Sequence, residues 1–240
     1  MITVYKFGAL EGVCDASPFC VKVEAYLRMA GLTYESQAGP EYVMKSPKHK
    51  LPYIEDNGLV VADSSAILNY LKDTYGDSVD GHLSDVDKAI AIAFIRLIEE
   101  SLYWVLVHAR WCLSYNSTML QHNIFSQPYF ARIPSPLRAI LIVKIKRDIK
   151  NQLYLQGTGR HTDAEITELG DQNLLALANF LRDKPFFLGA QPSSLDAVAY
   201  GMLANMLLVT CYSAPIFEKA KTYQNLVEFT HRFHQRYFAL

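Results

Sequence analysis

The sequence predicts a two-domain fold, with an α/β domain over residues 1–76 and an all-α domain over residues 85–240. Three observations predict it. Short segments rich in β-branched and aromatic residues alternate with helical ones through residue 75. Beyond Asp85 the strand signals fade and helix starts and stops take over. Between the two regions Gly76 to Ser84 is polar and contains glycine, which suits a linker.

Taken in order, Ile2 to Phe7 reads as a strand, and Pro18 to Ala30 as a helix stopped by Gly31. Thr33 to Gln37 is a short second strand. Pro52 stands at the entrance of a third, because a residue without an N–H belongs at a strand's start. Tyr53 to Glu55 and Leu59 to Ala62 form a hairpin across Asp56-Asn57-Gly58. Ser65 to Asp73 is the closing helix. This β-α-β, β-β-α order resembles a thioredoxin-like domain. In the second domain, Val86 to Ser114 is one long helical pattern. Three prolines make Ser126 to Pro136 an irregular connection. Leu137 to Gln156 is a helix with basic residues on its polar face, ended by Gly157-Thr158-Gly159. Thr162-Asp163-Ala164-Glu165 is a capping box for a helix to about Arg182, and Ser193-Ser194-Leu195-Asp196 is a second match. Thr222 to Arg236 is the final helix, of mixed charge.

Half of the 240 residues are hydrophobic and 20% are charged, as in an ordinary soluble globular protein. A net charge of −1 gives no basic face for nucleic acid. Cys14, Cys20, Cys112 and Cys211 are scattered, without metal-ligand spacing or a disulfide framework. They read as reduced thiols, with the cytoplasm as the expected location. No secretory signal is visible at the N-terminus. Ala197 to Phe217 carries no charge and is long enough to span a bilayer. It holds Gly201, Asn205, Thr210, Ser213 and Pro215 and opens on a capping sequence, so it is expected to be a buried core helix ending before Pro215.

Two stretches carry the chemistry. A cis bond between Leu51 and Pro52 would turn the Leu51 backbone outward, with its N–H and C=O open to a ligand. Asp63-Ser64-Ser65 opens a helix, whose unpaired N–H groups and partial positive charge suit a carboxylate. An aspartate and a hydroxyl at that end can together hold an amino acid's ammonium and carboxylate. Ser64 and Asp63 also serve as plain helix-start residues. Ser17-Pro18 likewise forms a cap and first turn that needs no chemistry. Glu100, Tyr103, Trp104, His108 and Trp111 recur at intervals of three and four, which predicts one helix side.

Lys50-Leu51-Pro52-Tyr53-Ile54-Glu55-Asp56 and Ala62-Asp63-Ser64-Ser65-Ala66-Ile67-Leu68 resemble the glutathione-binding half of glutathione transferases. The resemblance covers nearly the whole chain. Ser17-Pro18-Phe19-Cys20, Leu102-Tyr103-Trp104, Gln156-Gly157-Thr158-Gly159-Arg160-His161, Phe186-Phe187-Leu188-Gly189 and Ser193-Ser194-Leu195-Asp196 resemble the failed-axon-connections and metaxin-like branch. Metaxins serve in mitochondrial outer-membrane import rather than catalysis.

The transferase resemblance implies glutathione as co-substrate. Asp63 and Ser64 would hold its γ-glutamyl end, the Leu51 backbone its cysteinyl part, and Lys50 and His49 its glycyl carboxylate. These last two read equally as a solvated basic loop. Ser17 falls at the superfamily's catalytic position and would stabilise the thiolate. Cys20 reads as a buried inert thiol, whereas Cys14, in the loop before Ser17, is a further thiol that can face the site. A tyrosine-type mechanism does not fit, since Lys6 stands where that tyrosine would align and Tyr5 is one position off. Tyr103, His108 and Trp111 would line a pocket for a small hydrophobic electrophile, with core packing as their alternative. No membrane span is expected, and a homodimer is open. A non-catalytic scaffold or interaction module is the rival function.

Overall fold

The computed structural model describes residues 1–113, 133–211 and 213–239. Strand β1 (Ile2–Lys6) lies parallel to β2 (Tyr34–Ala38) and antiparallel to β3 (Tyr53–Asp56). Strand β3 in turn pairs antiparallel with β4 (Leu59–Ala62), giving the order β2-β1-β3-β4. Alternation along the strands sorts the side chains. Val4 and Ile54 face each other across the ladder and are fully buried in the main core. Tyr5 and Tyr53, the next pair, stack at 4.3 Å on the other face, against Tyr42. Tyr42 opens the short helix α2 (Tyr42–Lys45). Four residues are too few to show a helical period, which is why the sequence gives no sign of it. Between β3 and β4, Asn57 and Gly58 take φ of +50° and +84°, as the Asn-Gly turn requires.

Helix α1 (Pro18–Met29) and helix α3 (Ser64–Tyr75) complete this half. Helix α3 starts one residue earlier than expected, and its cap is Asp63, not Ser64. The Asp63 carboxylate accepts from the Ser65 and Ala66 N–H groups, both at 3.1 Å.

The expected single helix over Val86–Ser114 is three pieces: α4 (Asp85–Arg96), a π-helical turn (Leu97–Leu102) and α5 (Tyr103–Trp111). A π turn inserts a residue into the ladder and rotates everything after it. Helix α6 (Ser135–Gln156) follows; the connection expected over Ser126–Pro136 lies mostly outside the described residues. Next come α7 (Asp163–Leu181) and α8 (Ser194–Leu207), both started by the expected capping boxes. Helix α9 (Pro215–Thr222) was not expected, and the final helix α10 (Gln224–Tyr237) falls where the sequence places it.

Helix α8 is the axis of the helical domain, and Leu195 through Met206 are all buried. The uncharged stretch from Ala197 is therefore core, and Pro215 opens the next helix instead of extending this one. Among the described residues no helix is long and apolar enough to cross a membrane. At the start of α8 the buried Asp196 accepts from Phe187 N–H, Ser193 N–H and the Ser193 hydroxyl, each at 2.8 Å. Helix α1 packs directly on α8. A Cβ at Gly201 would lie 2.5 Å from the Pro18 carbonyl oxygen and 3.1 Å from Lys22 N. Only a glycine permits that approach.

Candidate active site

Ser17 stands at the N-cap of α1 with extended backbone angles, half-buried, and its hydroxyl makes no capping bond to the helix. The loop leading to it is fixed from both domains. From below, the fully buried Asp15 accepts from Gly8 N–H at 2.7 Å and Ser17 N–H at 2.8 Å. From the helical domain, Arg110 of α5 donates to the Ala16 carbonyl at 2.8 Å. Arg110 is itself held on the Asn205 carbonyl at 2.9 Å and the Asn205 Oδ1 at 2.7 Å. The Cys20 thiol is fully buried in the same corner.

Cys20 links this corner to the next. Its side chain packs with Leu51 and Tyr53. The Leu51–Pro52 peptide bond is cis, as the sequence leads one to expect, and both residues are buried. Lys50 and His49 beside them are exposed, His49 with φ of +51°. The third corner is Asp63-Ser64. Asp63 is exposed and takes φ of +91°, a conformation an L-residue avoids. Ser64 is buried and touches α1, because Lys22 Nζ donates to Ser64 Oγ at 3.2 Å. One helix therefore brings the three corners together: the N-cap of α1 carries Ser17, its first turn meets Leu51, and its second turn meets Ser64.

The helical domain adds Tyr103, whose ring meets Phe19 of α1 at 4.8 Å. Its hydroxyl lies near the Arg110 charge and the Cys20 thiol. Burial raises its pKa, the arginine opposing, so the group stays a neutral hydrogen-bond donor. The expected single stripe divides, with Glu100 inside the π turn and Tyr103 and His108 on different sides of α5. His108 turns to α7, with Nε2 3.0 Å from Asp163 Oδ1, and burial lowers its pKa against that carboxylate. Trp111 is half-buried and packs on the main core. Glu100 is solvent-facing, whereas Glu99 points inward to Lys22 Nζ at 2.7 Å.

The thiols differ from one another only in degree. Burial raises the pKa of Cys20 and of Cys14, and Glu24 adds to the effect at Cys14. An activated Cys14 is therefore not what the fold builds. Tyr5 stacks on Tyr53 in the cluster that holds Cys20 and Leu51, and its hydroxyl donates to Glu55 at 3.2 Å. Lys6 pairs with the buried Glu24 and donates to the Cys14 carbonyl at 3.1 Å.

Asp15, Lys22, Glu99 and Arg110 were not singled out from the sequence. One signal was present: Lys22 and Glu24 alternate with Val21, Val23 and Ala25, and a charge inside an apolar helix run needs a buried partner.

A mixed four-stranded sheet with its cis-proline turn, followed by a helical bundle whose central helix carries a buried capping aspartate, defines the glutathione-transferase fold. Residues 18–117 match the glutathione S-transferase N-terminal domain and residues 170–233 the glutathione S-transferase C-terminal domain. The chain is 36% identical to the isoprene-epoxide–glutathione S-transferase of Rhodococcus sp. (strain AD45), over 86% of this chain and 87% of that protein. The chain belongs to the glutathione S-transferase family. Human metaxin-2 is 31% identical over 90% of this chain and 80% of its own length. Failed axon connections of Drosophila melanogaster is 32% identical over 86% of this chain, which spans half of that longer protein. Among solved structures, the glutathione S-transferase CsGST63524 of Ceriporiopsis subvermispora, in complex with glutathione, superposes with a TM-score of 0.67. The alignment covers 100% of this chain and 98% of that one, at 17% identity, a likeness of fold.

Proposed function

We propose that the protein binds glutathione between α1, the Leu51–Pro52 turn and the start of α3, and conjugates its sulfur to a small hydrophobic electrophile. The observation that carries this reading is the corner at Asp63. A non-glycine residue at φ of +91° costs about 1–3 kcal/mol, a strain that clusters at ligand sites. What it delivers is a carboxylate and a helix N-terminus side by side. That pair complements the γ-glutamyl zwitterion, with the ammonium on Asp63 and the carboxylate on the Ser64 hydroxyl and N–H at the start of α3. The Leu51 backbone pairs with the cysteinyl unit. Lys50 and His49 attract the glycyl carboxylate.

The ligand's sulfur then lies toward Ser17. The Ser17 hydroxyl donates to the thiolate, and the positive end of α1 adds to that stabilisation. The thiol proton leaves to solvent and the sulfur forms a bond to an electrophilic carbon. With an epoxide, the carbon–oxygen bond breaks and the alkoxide takes a proton from water held by Tyr103. The relative named for isoprene epoxide supports an alkene epoxide as the first electrophile to test. Trp111 and His108 contribute to the shape of the helical domain rather than to this reacting centre. The cytoplasm, where glutathione stays reduced, is the compartment this reading requires.

The test is conjugation of glutathione to an alkene epoxide and to an aromatic halide by the parent and by Ser17→Asp. Aspartate caps a helix as well as serine does, so the melting temperature should hold. A carboxylate beside the thiolate raises the thiol pKa, and turnover should fall by roughly 100-fold. Full turnover in a well-folded Ser17→Asp protein would remove Ser17 from the mechanism. The likeness to metaxin-2 favours a second reading, a non-catalytic interaction module. That reading predicts no turnover by the parent with either electrophile.

A further inference from the structure

Lys22 is buried behind the crevice, with its side chain 3% exposed. Its Nζ donates to Ser64 Oγ at 3.2 Å, to Ser65 Oγ at 3.0 Å and to Glu99 Oε1 at 2.7 Å. An ammonium has three N–H groups and no lone pair, so these contacts use its whole capacity. The consequence falls on Ser64. Its oxygen already accepts from Lys22, so its single proton is free to go to an acceptor on the other side. At the first position of α3 no preceding helical turn offers it a carbonyl. An acceptor placed at that corner, where the exposed Asp63 presents its carboxylate, can take that proton.

We propose that Lys22 is a specificity-determining positioning residue: by occupying the Ser64 oxygen it fixes Ser64 as a donor, so that the site requires a carboxylate there. With Asp63 beside it as acceptor, the corner reads both charges of an α-amino-acid end and fixes their order. Glu99 supplies the balancing charge from the helical domain, with Arg96 3.8 Å from its other oxygen. The π turn gives Glu99 its inward position. Ligand selection in one domain thus depends on a residue of the other.

This inference rests on the glutathione reading above, and the test separates the two. Glutathione and γ-aminobutyryl-cysteinyl-glycine, which lacks only the γ-glutamyl α-carboxylate, are titrated calorimetrically into each protein. The parent should prefer glutathione by about 10- to 100-fold, the worth of one charge-assisted bond. Lys22→Met alone would strand Glu99, so the variant is Lys22→Met with Glu99→Gln. Its preference should shrink to about threefold or less while its affinity for the analogue holds. Ser64→Ala, which leaves the ion pair intact, should lose the same preference, and Lys22→Arg should keep it. Undiminished preference in either Ser64→Ala or a folded double variant overturns the role of Lys22 while leaving glutathione binding in place. If the parent binds neither ligand, both the inference and the reading beneath it fail.

Discussion

Asp15 has no exposed surface and sits two residues before Ser17. Burial pushes its carboxyl up to about 7, although the Gly8 and Ser17 amides and the Lys6 charge all favour the ionised form. In the unfolded chain the same group titrates near its usual 3.8. Between those values the folded protein keeps a proton that the unfolded chain has lost. The stability this group contributes is therefore complete below about pH 4, shrinks as pH rises, and is gone above about 7. Asp15→Asn removes the titration. It must also set its NH2 against one of the two N–H donors, a cost that does not change with pH. The parent's advantage over Asp15→Asn should then narrow between pH 5 and 8, by at most about 1.4 kcal/mol per unit. Urea denaturation of both proteins across that range measures it. Parallel stability curves would show that Asp15 keeps an ordinary carboxylate pKa. Nothing in Asp15's sequence neighbours marks it as buried, since its environment comes from Gly8 and from α1 folding over it.

Helix α1 is the element on which the site depends, and its position is set by α8. Gly201 lets the α8 backbone reach α1 beside Pro18 and Lys22. Gly201→Ala would place a methyl 2.5 Å from a backbone oxygen, which no rotamer change relieves. The helices would have to part, at a cost of about 1–3 kcal/mol. Chemical denaturation should read that loss, with weaker glutathione binding alongside it because Ser17 and Lys22 ride on the displaced helix. Gain of stability, as expected for a glycine in an ordinary helix interior, would contradict the close packing. Local signals made several elements legible. The Asn57-Gly58 turn, the Thr162 and Ser193 capping boxes and the Pro18 helix start all carry chemistry that acts within a few residues. The π turn at Leu97–Leu102 was not legible, and Glu99 within it meets its partner Lys22 on a distant segment of the chain. Tyr103 and His108 both follow the π turn, and at five residues' separation within α5 they lie about 140° apart around the helix and so serve different faces.

At the scale of the whole molecule, charged groups join the two domains inside an apolar interface. Lys22 meets Glu99, Arg110 holds the Ala16 carbonyl, and Arg28 of α1 donates to the Tyr237 carbonyl at 2.9 Å. A buried ion pair adds little net stability over apolar packing, but losing one partner is expensive, so such pairs fix one docking geometry. The outcome places Ser17 and Asp63 at the two ends of the proposed glutathione crevice, with Tyr103 on Phe19 of α1. Sequence motifs pointed to Ser17, Leu51, Asp63 and Ser64 as candidates, because each follows a backbone signal. They did not locate the charges that hold those residues in place, because each of those finds its partner on a distant segment. The central claim is that Ser17 stabilises the thiolate of glutathione bound in this crevice. The most direct measurement is the ultraviolet absorbance of the bound thiolate as a function of pH, in the parent and in Ser17→Ala. In the parent the bound thiol should titrate at least one unit below the roughly 8.5 of a free thiol, and in Ser17→Ala it should return toward that value at similar glutathione affinity. An unshifted thiol in the parent, or the same depressed value in Ser17→Ala, would contradict the claim.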